Sequence, residues 1–117
     1  MKKLAWLKRG HTLWVSTNGR LDYAIYQVSG PNGPLGEQFS VNFQQDGGAE
    51  QHIVTIGGGK DSDRLNRAME AAQEHLQKLY DHHVTGARII VWGGGPDKGK
   101  PLAVSPEFKE YLEKRFG

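Results

Sequence analysis

The chain of 117 residues contains no cysteine, and this absence excludes several kinds of site at once. Without thiols there is no disulfide framework, no thiolate zinc site, no iron–sulfur cluster and no cysteine nucleophile. A reducing compartment is therefore the natural setting for the protein.

Long apolar runs are missing as well. The apolar stretch that begins at Leu4 ends at Lys8-Arg9 and is too short for the hydrophobic region of a signal peptide. No other segment approaches the length that a membrane-spanning helix needs. We therefore expect a cytoplasmic protein with no membrane partner.

Charge of one sign is not in strong excess, because 15 basic residues face 13 acidic ones and the net charge is +2. This balance permits a polyanionic partner without arguing for one. The apolar fraction of 37%, with three tryptophans, is enough to fill one core, and a chain of this length has no room for two. We expect a single α+β domain over residues 1–117.

The first half of the chain alternates polar and apolar residues with the period of a β-strand. Leu13 and Val15 alternate with Trp14 and Ser16 before Asn18-Gly19, which predicts a strand leading into a type I′ hairpin. Further strands are expected over residues 21–26, 39–44, 51–56 and 87–92.

The second half contains two helical patterns. An apolar stripe predicts a long helix from about residue 62 to about residue 81, and Ser105-Pro106 is typical of the first residues of a short C-terminal helix. The stripe consists of Leu65, Met69, Ala72, Leu76 and Leu79. The fold class is therefore α+β, with a mostly antiparallel sheet of about five or six strands packed on one long amphipathic helix and a short C-terminal helix.

The two faces of the predicted sheet differ in composition. The residues expected to face the helix are Leu13, Val15, Tyr23, Ile25, Phe39, Val41 and Phe43. The opposite face would then carry Trp14, Tyr26 and Trp92 among Ser16, Asn42, Gln44 and Arg88. This aromatic and polar face is either a contact surface or a second core layer under Phe108, Leu112 and Phe116, and the pattern favours neither interpretation.

Other chemistry-bearing motifs have simple structural interpretations. The loop from Gly94 to Lys100 matches G-x-x-x-x-G-K, but Pro101 stands where a magnesium-binding hydroxyl belongs, so we interpret it as a basic loop. His75, His82 and His83 lie near the end of the long helix, where they suit the helix dipole without a metal. No catalytic motif is present, so we expect no enzyme activity, no cofactor and no metal.

Several features together resemble the short sheet-plus-helix proteins encoded by phages and prophages. They are Trp6, Trp14, the turn at Gly19, Tyr23-x-Ile25, an aromatic strand around Phe39 and the helical segment Ala71-Ala72-Gln73, and they span roughly residues 6 to 80. The resemblance implies no catalytic residues. It does imply the role of the phage proteins of this size whose function is known, many of which bind and block host nucleases and defence complexes.

Three functional hypotheses remain. In the first, a phage-type accessory factor in the host cytoplasm binds and inhibits a nucleic-acid-handling or defence complex, CRISPR-like or a nuclease, with Trp14, Tyr26, Arg88, Trp92, Lys98 and Lys100 as contact residues. In the second, Gly57, Gly58, Gly59, Lys60 and Arg64 hold a small phosphorylated nucleotide at a helix start. In the third, nucleic acid is bound by the aromatic side chains together with Lys8, Arg9, Arg20 and Arg88. Each of the three hypotheses is compatible with a homodimer.

Overall fold

The computed structural model describes residues 1–29, 38–57, 61–86 and 105–117. Five strands form one antiparallel sheet in the order β1-β2-β3-β4-β5, so each strand pairs with its neighbour in sequence. They are β1 (Leu7–Arg9), β2 (Leu13–Ser16), β3 (Leu21–Ser29), β4 (Gln38–Gln45) and β5 (Gln51–Ile56). The predicted strand over 87–92 lies outside the described residues.

The strand register defines the two faces of the sheet. Trp14 pairs with Ile25 and Ile25 with Val41, so these three side chains lie on one face, which is buried. Because side chains alternate between the faces, the residues between them lie on the other face, which we call the open face. The open face carries Leu13, Val15, Asp22, Ala24, Tyr26, Ser40, Asn42, Gln44, His52 and Thr55.

The predicted phase of β2 is wrong. Trp14 is only 9% exposed and lies on the buried face, whereas Leu13 and Val15 lie half-buried on the open face. Ser16 joins Trp14 on the buried face and is fully buried. The physical reason is that the antiparallel register places Trp14 opposite Ile25, so its large ring fills the core in place of the two smaller side chains.

The predicted type I′ turn at Asn18-Gly19 is also corrected. A type I′ turn requires a positive φ at both central residues. Gly19 has a φ of 93°, but the φ of Asn18 is not positive. Asn18 instead donates from its backbone nitrogen to Asp22 Oδ1 at 2.7 Å and from Nδ2 to the Ser16 carbonyl at 3.2 Å. These bonds hold a longer connection between β2 and β3.

Two consecutive positive φ angles occur at the next turn of the sheet, between β4 and β5. Asp46 has φ 55° and Gly47 has φ 70°, and the Gly48 nitrogen donates to the Gln45 carbonyl at 3.0 Å. Arg20 holds Asp46 from the side through contacts of 2.5 and 3.1 Å to its carboxylate. The Asp-Gly pair therefore takes the hairpin geometry that the sequence predicts for Asn18-Gly19.

Helix α1 covers Asp61–Tyr80, close to the predicted bounds. Residues 4–73 form one compact unit that contains the sheet and the first part of this helix, in which Ala68 and Ala72 are fully buried. Two hydrogen bonds tie the helix to this unit, from the Leu4 nitrogen to Gln73 Oε1 at 2.9 Å and from Arg67 to the Gly57 carbonyl at 3.0 Å. The α+β fold class and its mostly antiparallel sheet are confirmed.

A second compact unit comprises residues 1–3 and 74–117. In its described part α1 continues into a π-helical segment, Asp81–Thr85, which ends at Gly86 with a φ of 83°. Helix α2 follows over Pro106–Phe116, and its predicted start is confirmed because Ser105 Oγ accepts a bond from the Phe108 nitrogen at 3.3 Å. The prediction of a single domain stays a prediction.

Among the described residues, no helix has the length and apolar character needed to cross a bilayer.

Candidate functional site

The open face of the sheet divides into an apolar half and a polar half. Leu13, Val15 and Ala24, from β2 and β3, make the apolar half, and all three are partly exposed. Beside them on the edge strand β1, Leu7 pairs with Val15 and is 57% exposed. A continuous apolar surface of this kind, bordered by polar groups, is typical of a protein contact surface.

Hydrogen bonds between side chains organise the polar half. Asn42 Nδ2 donates to the carbonyl and to Oγ of Ser40 at 3.2 and 3.0 Å. The His52 ring lies between two hydroxyls, with Nδ1 3.1 Å from Ser40 Oγ and Nε2 3.3 Å from Thr55 Oγ1. Side chains held in this way lose little conformational freedom when a partner covers them.

Tyr26 lies between the two halves and is itself held in place. Its hydroxyl donates to Glu50 Oε2 at 2.9 Å. Partial burial, and then the hydrogen bond to Glu50, raise the pKa of Tyr26 above its usual range. The phenol therefore stays protonated at neutral pH and can donate a hydrogen bond.

A depression of about 200 Å³ lies on this face beside Tyr26. Small-molecule and cofactor pockets usually occupy about 300–1,000 Å³, so this depression is smaller than a typical pocket of that kind. Asp22 pairs with Gln44, and Phe43 pairs with Gln51, so Glu50 lies near Gln44. The lining combines apolar and acidic groups, from Val15, Thr17, Asp22, Tyr23, Ala24, Tyr26, Phe43, Gln44 and Glu50.

Trp14 was predicted to share this surface with Tyr26, and that placement is wrong. Its ring is buried on the opposite face, edge-on to Phe39 with 5.6 Å between the ring centroids. Lys8 Nζ lies 5.3 Å from the ring centroid and covers its outer side. Trp14 is therefore a core residue, and a stacking platform that includes it has no support.

Among the other predicted site residues, Arg9 shares the open face, on the edge strand β1, and several more lie outside the described part of the chain. Gly57 follows β5 and its carbonyl accepts a bond from Arg67, while Arg64 is half-exposed in the first turns of α1. The predicted contact residues Arg88, Trp92, Lys98 and Lys100 lie outside the described residues, as do Gly58, Gly59 and Lys60 of the predicted anion-binding loop. Of the predicted contact residues, Tyr26 is the one placed on the open face.

The three histidines near the end of α1 are buried structural residues. His83 Nδ1 accepts a bond from the Ser105 nitrogen at 3.3 Å, and its ring packs edge-on against Phe108 at 5.0 Å. Burial, and then the charge of His82, lower the pKa of His83. In the described ranges no group of histidine, aspartate and glutamate side chains could hold a metal ion.

Burial of His75 predicts a loss of stability in mild acid. Burial, and then the charge of Lys78, lower the pKa of His75 from 6.5 to about 4. As the pH falls from about 6.5 to about 4, His75 therefore becomes protonated in the unfolded chain but stays neutral in the folded chain. We expect His75 to lower the free energy of unfolding by on the order of 3 kcal/mol across this window, with no further contribution from this residue below it.

Urea denaturation at several pH values measures this effect, and His75→Gln is the matched control. We expect this variant to be less stable at neutral pH. Because it cannot titrate at residue 75, its stability should depend much less on pH over the same window. Equal pH slopes in the two proteins would contradict the assignment.

The acidic side chains of the open face were not predicted from the sequence. Asp22 falls within the predicted strand over residues 21–26 but was not named as a contact residue, and Glu50 was not named either. The alternation in β3 does place Asp22 on the same face as Tyr26, so that part was available from the pattern. Glu50 comes close to Tyr26 only through the turn between β4 and β5, across 24 residues of sequence.

No protein-family profile, curated protein or solved structure matches this chain.

Proposed function

We propose that the protein is a non-catalytic binding protein that contacts a protein partner through the open face of its sheet. The observation that carries the proposal is the pre-set Tyr26 ring, fixed by Glu50 at 2.9 Å between an apolar and a polar half of the face. A tyrosine held this way offers a large contact area at little cost in conformational entropy.

A protein partner fits this face better than a nucleic acid does. The depression beside Tyr26 is bordered by the carboxylates of Asp22 and Glu50, which repel phosphate at close range. Arg20, one of the residues assigned to nucleic-acid binding, has its guanidinium on Asp46. The two carboxylates and the Arg20–Asp46 ion pair both reduce the positive charge available to a polyanion on this side of the sheet.

The finer proposal is that the partner is a host nucleic-acid-handling or defence complex and that the protein inhibits it as a phage-type accessory factor in the host cytoplasm. Its support is the resemblance to small phage proteins together with the lack of catalytic motifs in the sequence. Sequestration of a phosphorylated nucleotide by residues 57–60 is the second candidate. It would appear as excess absorbance at 260 nm in the purified protein.

The test is capture of a partner by immobilised protein from a lysate of the host, compared between the parent and Tyr26→Ala. We expect the parent to retain a partner in stoichiometric amount and Tyr26→Ala to bind it at least about tenfold more weakly, the loss typical of a contact hot spot. The melting temperature should stay within a few degrees of the parent's, because Tyr26 is partly exposed.

Two further variants make the result specific. Tyr26→Phe keeps the ring and removes only the hydroxyl that bonds Glu50, so it should lose less affinity than Tyr26→Ala. Glu110→Ala changes an exposed residue of α2 and should bind as the parent does. Unchanged capture by Tyr26→Ala would place the contact elsewhere, and salt-sensitive retention on immobilised DNA or RNA would favour nucleic-acid binding instead.

A further inference from the structure

The depression on the open face has a charge and shape that restrict what a partner can place in it. Asp22 is on β3 and Glu50 immediately precedes β5. Because β4 lies between these two strands, the backbones of Asp22 and Glu50 are about 10 Å apart across the sheet. Between them the lining provides the Tyr26 ring and the Gln44 amide, with Val15 and Ala24 completing an apolar wall. The described lining residues include no basic side chain.

Both carboxylates are already oriented by neutral donors. Asp22 Oδ1 accepts from the Asn18 nitrogen at 2.7 Å, and Glu50 Oε2 accepts from the Tyr26 hydroxyl at 2.9 Å. A carboxylate has two oxygens that together accept about four hydrogen bonds, so each keeps acceptor capacity after these bonds. Two arginines of the described strands and turns lie on this side of the sheet. Arg9 is on the edge strand, two strands away from Tyr26, and Arg20, just before β3, has its guanidinium on the Asp46 carboxylate.

From this arrangement we infer that the depression binds an arginine side chain of the protein partner, with its guanidinium between the Glu50 and Asp22 carboxylates and its alkyl stem along the Tyr26 ring and the apolar wall. The inference rests on the proposed function, since it names the chemistry by which the same face recognises its partner.

Arginine matches these groups better than lysine does. Its guanidinium is planar, offers five donors that can reach two acceptors at once, and stacks on an aromatic face. A lysine ammonium is more strongly hydrated and acts as a point charge, so it gains less from a half-open site. The depression of about 200 Å³ has room for one such side chain.

The probe for this inference is N-acetyl-arginine amide, titrated into the isotope-labelled protein and followed by backbone amide chemical shifts. We expect binding on the order of millimolar, with shifts concentrated at Asp22, Tyr26, Gln44 and Glu50. N-acetyl-citrulline amide has nearly the same shape without the charge and should cause no saturable shifts there. N-acetyl-lysine amide should bind more weakly than the arginine compound.

Substitutions separate the carboxylates from general surface charge. Glu50→Gln and Asp22→Asn keep the side-chain size and should each weaken probe binding about two- to fivefold, in the range of an exposed ion pair. Glu107→Gln removes one exposed carboxylate from α2 and should leave probe binding unchanged. Equal shifts with citrulline, or full binding by the Glu50→Gln, Asp22→Asn double variant, would overturn the inference.

The probe titration and the partner capture can fail separately. If the probe does not bind while Tyr26→Ala still loses the partner, the result supports the proposed binding face and contradicts the arginine inference. If the probe binds as expected while Tyr26→Ala captures the partner normally, the result contradicts the proposed binding face. Concentration-dependent dimerisation that Tyr26→Ala abolishes would assign the face to a second copy of the chain and overturn the inference.

Discussion

Leu76→Asp is expected to abolish the cooperative thermal transition of the protein. Leu76 lies on the buried stripe of α1 and has an exposed fraction of 0%. An aspartate there must bury a charge without a designed partner or take up a proton, and an uncompensated buried charge costs about 3–5 kcal/mol. Loss of the leucine's packing adds about 2–5 kcal/mol, and the sum is comparable to a whole domain's stability of about 5–15 kcal/mol.

Circular dichroism at 222 nm during heating measures this effect, and α1 offers two controls. Asn66→Asp puts the same carboxylate on an exposed position of the helix and should shift the melting temperature by only a few degrees. Leu65→Asp should have an intermediate effect, because Leu65 is half-buried although it belongs to the same sequence stripe. A parent-like transition in Leu76→Asp would mean that the stripe is not part of the core.

The helices were predictable because their determinants are local. The apolar stripe fixes the face of α1 that is buried, and Ser105-Pro106 supplies both the side-chain cap and the first-turn proline of α2. The π-helical segment was not predicted. The sequence pattern placed His82 and His83 only near the helix end, where they suit the helix dipole. Both are buried, and Gly86 ends the segment in the left-handed conformation that glycine favours.

The sheet was predictable in outline, while β1 was not. The alternation in β4 and the Asp46-Gly47 pair are local features, and both appear in the structure as strand and turn. Strand β1 consists of Leu7, Lys8 and Arg9, which are all exposed and show no alternation. It exists through its pairing with β2, which sequence periodicity does not record.

The predicted faces of β2 and β3 are inconsistent with the predicted turn between them. A hairpin with Asn18-Gly19 at its centre pairs Thr17 with Arg20 and therefore Trp14 with Tyr23, which puts both rings on one face. The observed pairing of Ser16 with Tyr23 is shifted by two residues from that register. A shift of two residues leaves every side chain on the same face, so Trp14 still shares its face with Tyr23. The predicted turn, followed through to its register, already excluded a face that holds Trp14 beside Tyr26.

Trp14→Ala is expected to destabilise the fold by about 3–5 kcal/mol, the cost of removing a large aromatic side chain from a core. The ring is 9% exposed, packs edge-on against Phe39 and is covered by Lys8. Its loss leaves a cavity beside Ile25, its neighbour across the strand pair. Urea denaturation should show a lower midpoint with little change in slope.

Two variants determine how much of that cost belongs to the ring itself. Trp14→Phe keeps an aromatic side chain next to Phe39 and should recover part of the loss, whereas Lys8→Ala removes the exposed cation and should cost less than about 1 kcal/mol. The decisive comparison is with Tyr26→Ala. If Trp14→Ala kept the parent's stability and instead lost the binding partner, the tryptophan would belong to the contact surface and the assignment of the buried face would be wrong. Destabilisation by Trp14→Ala alongside a stable Tyr26→Ala is the pattern that one buried face and one open face require.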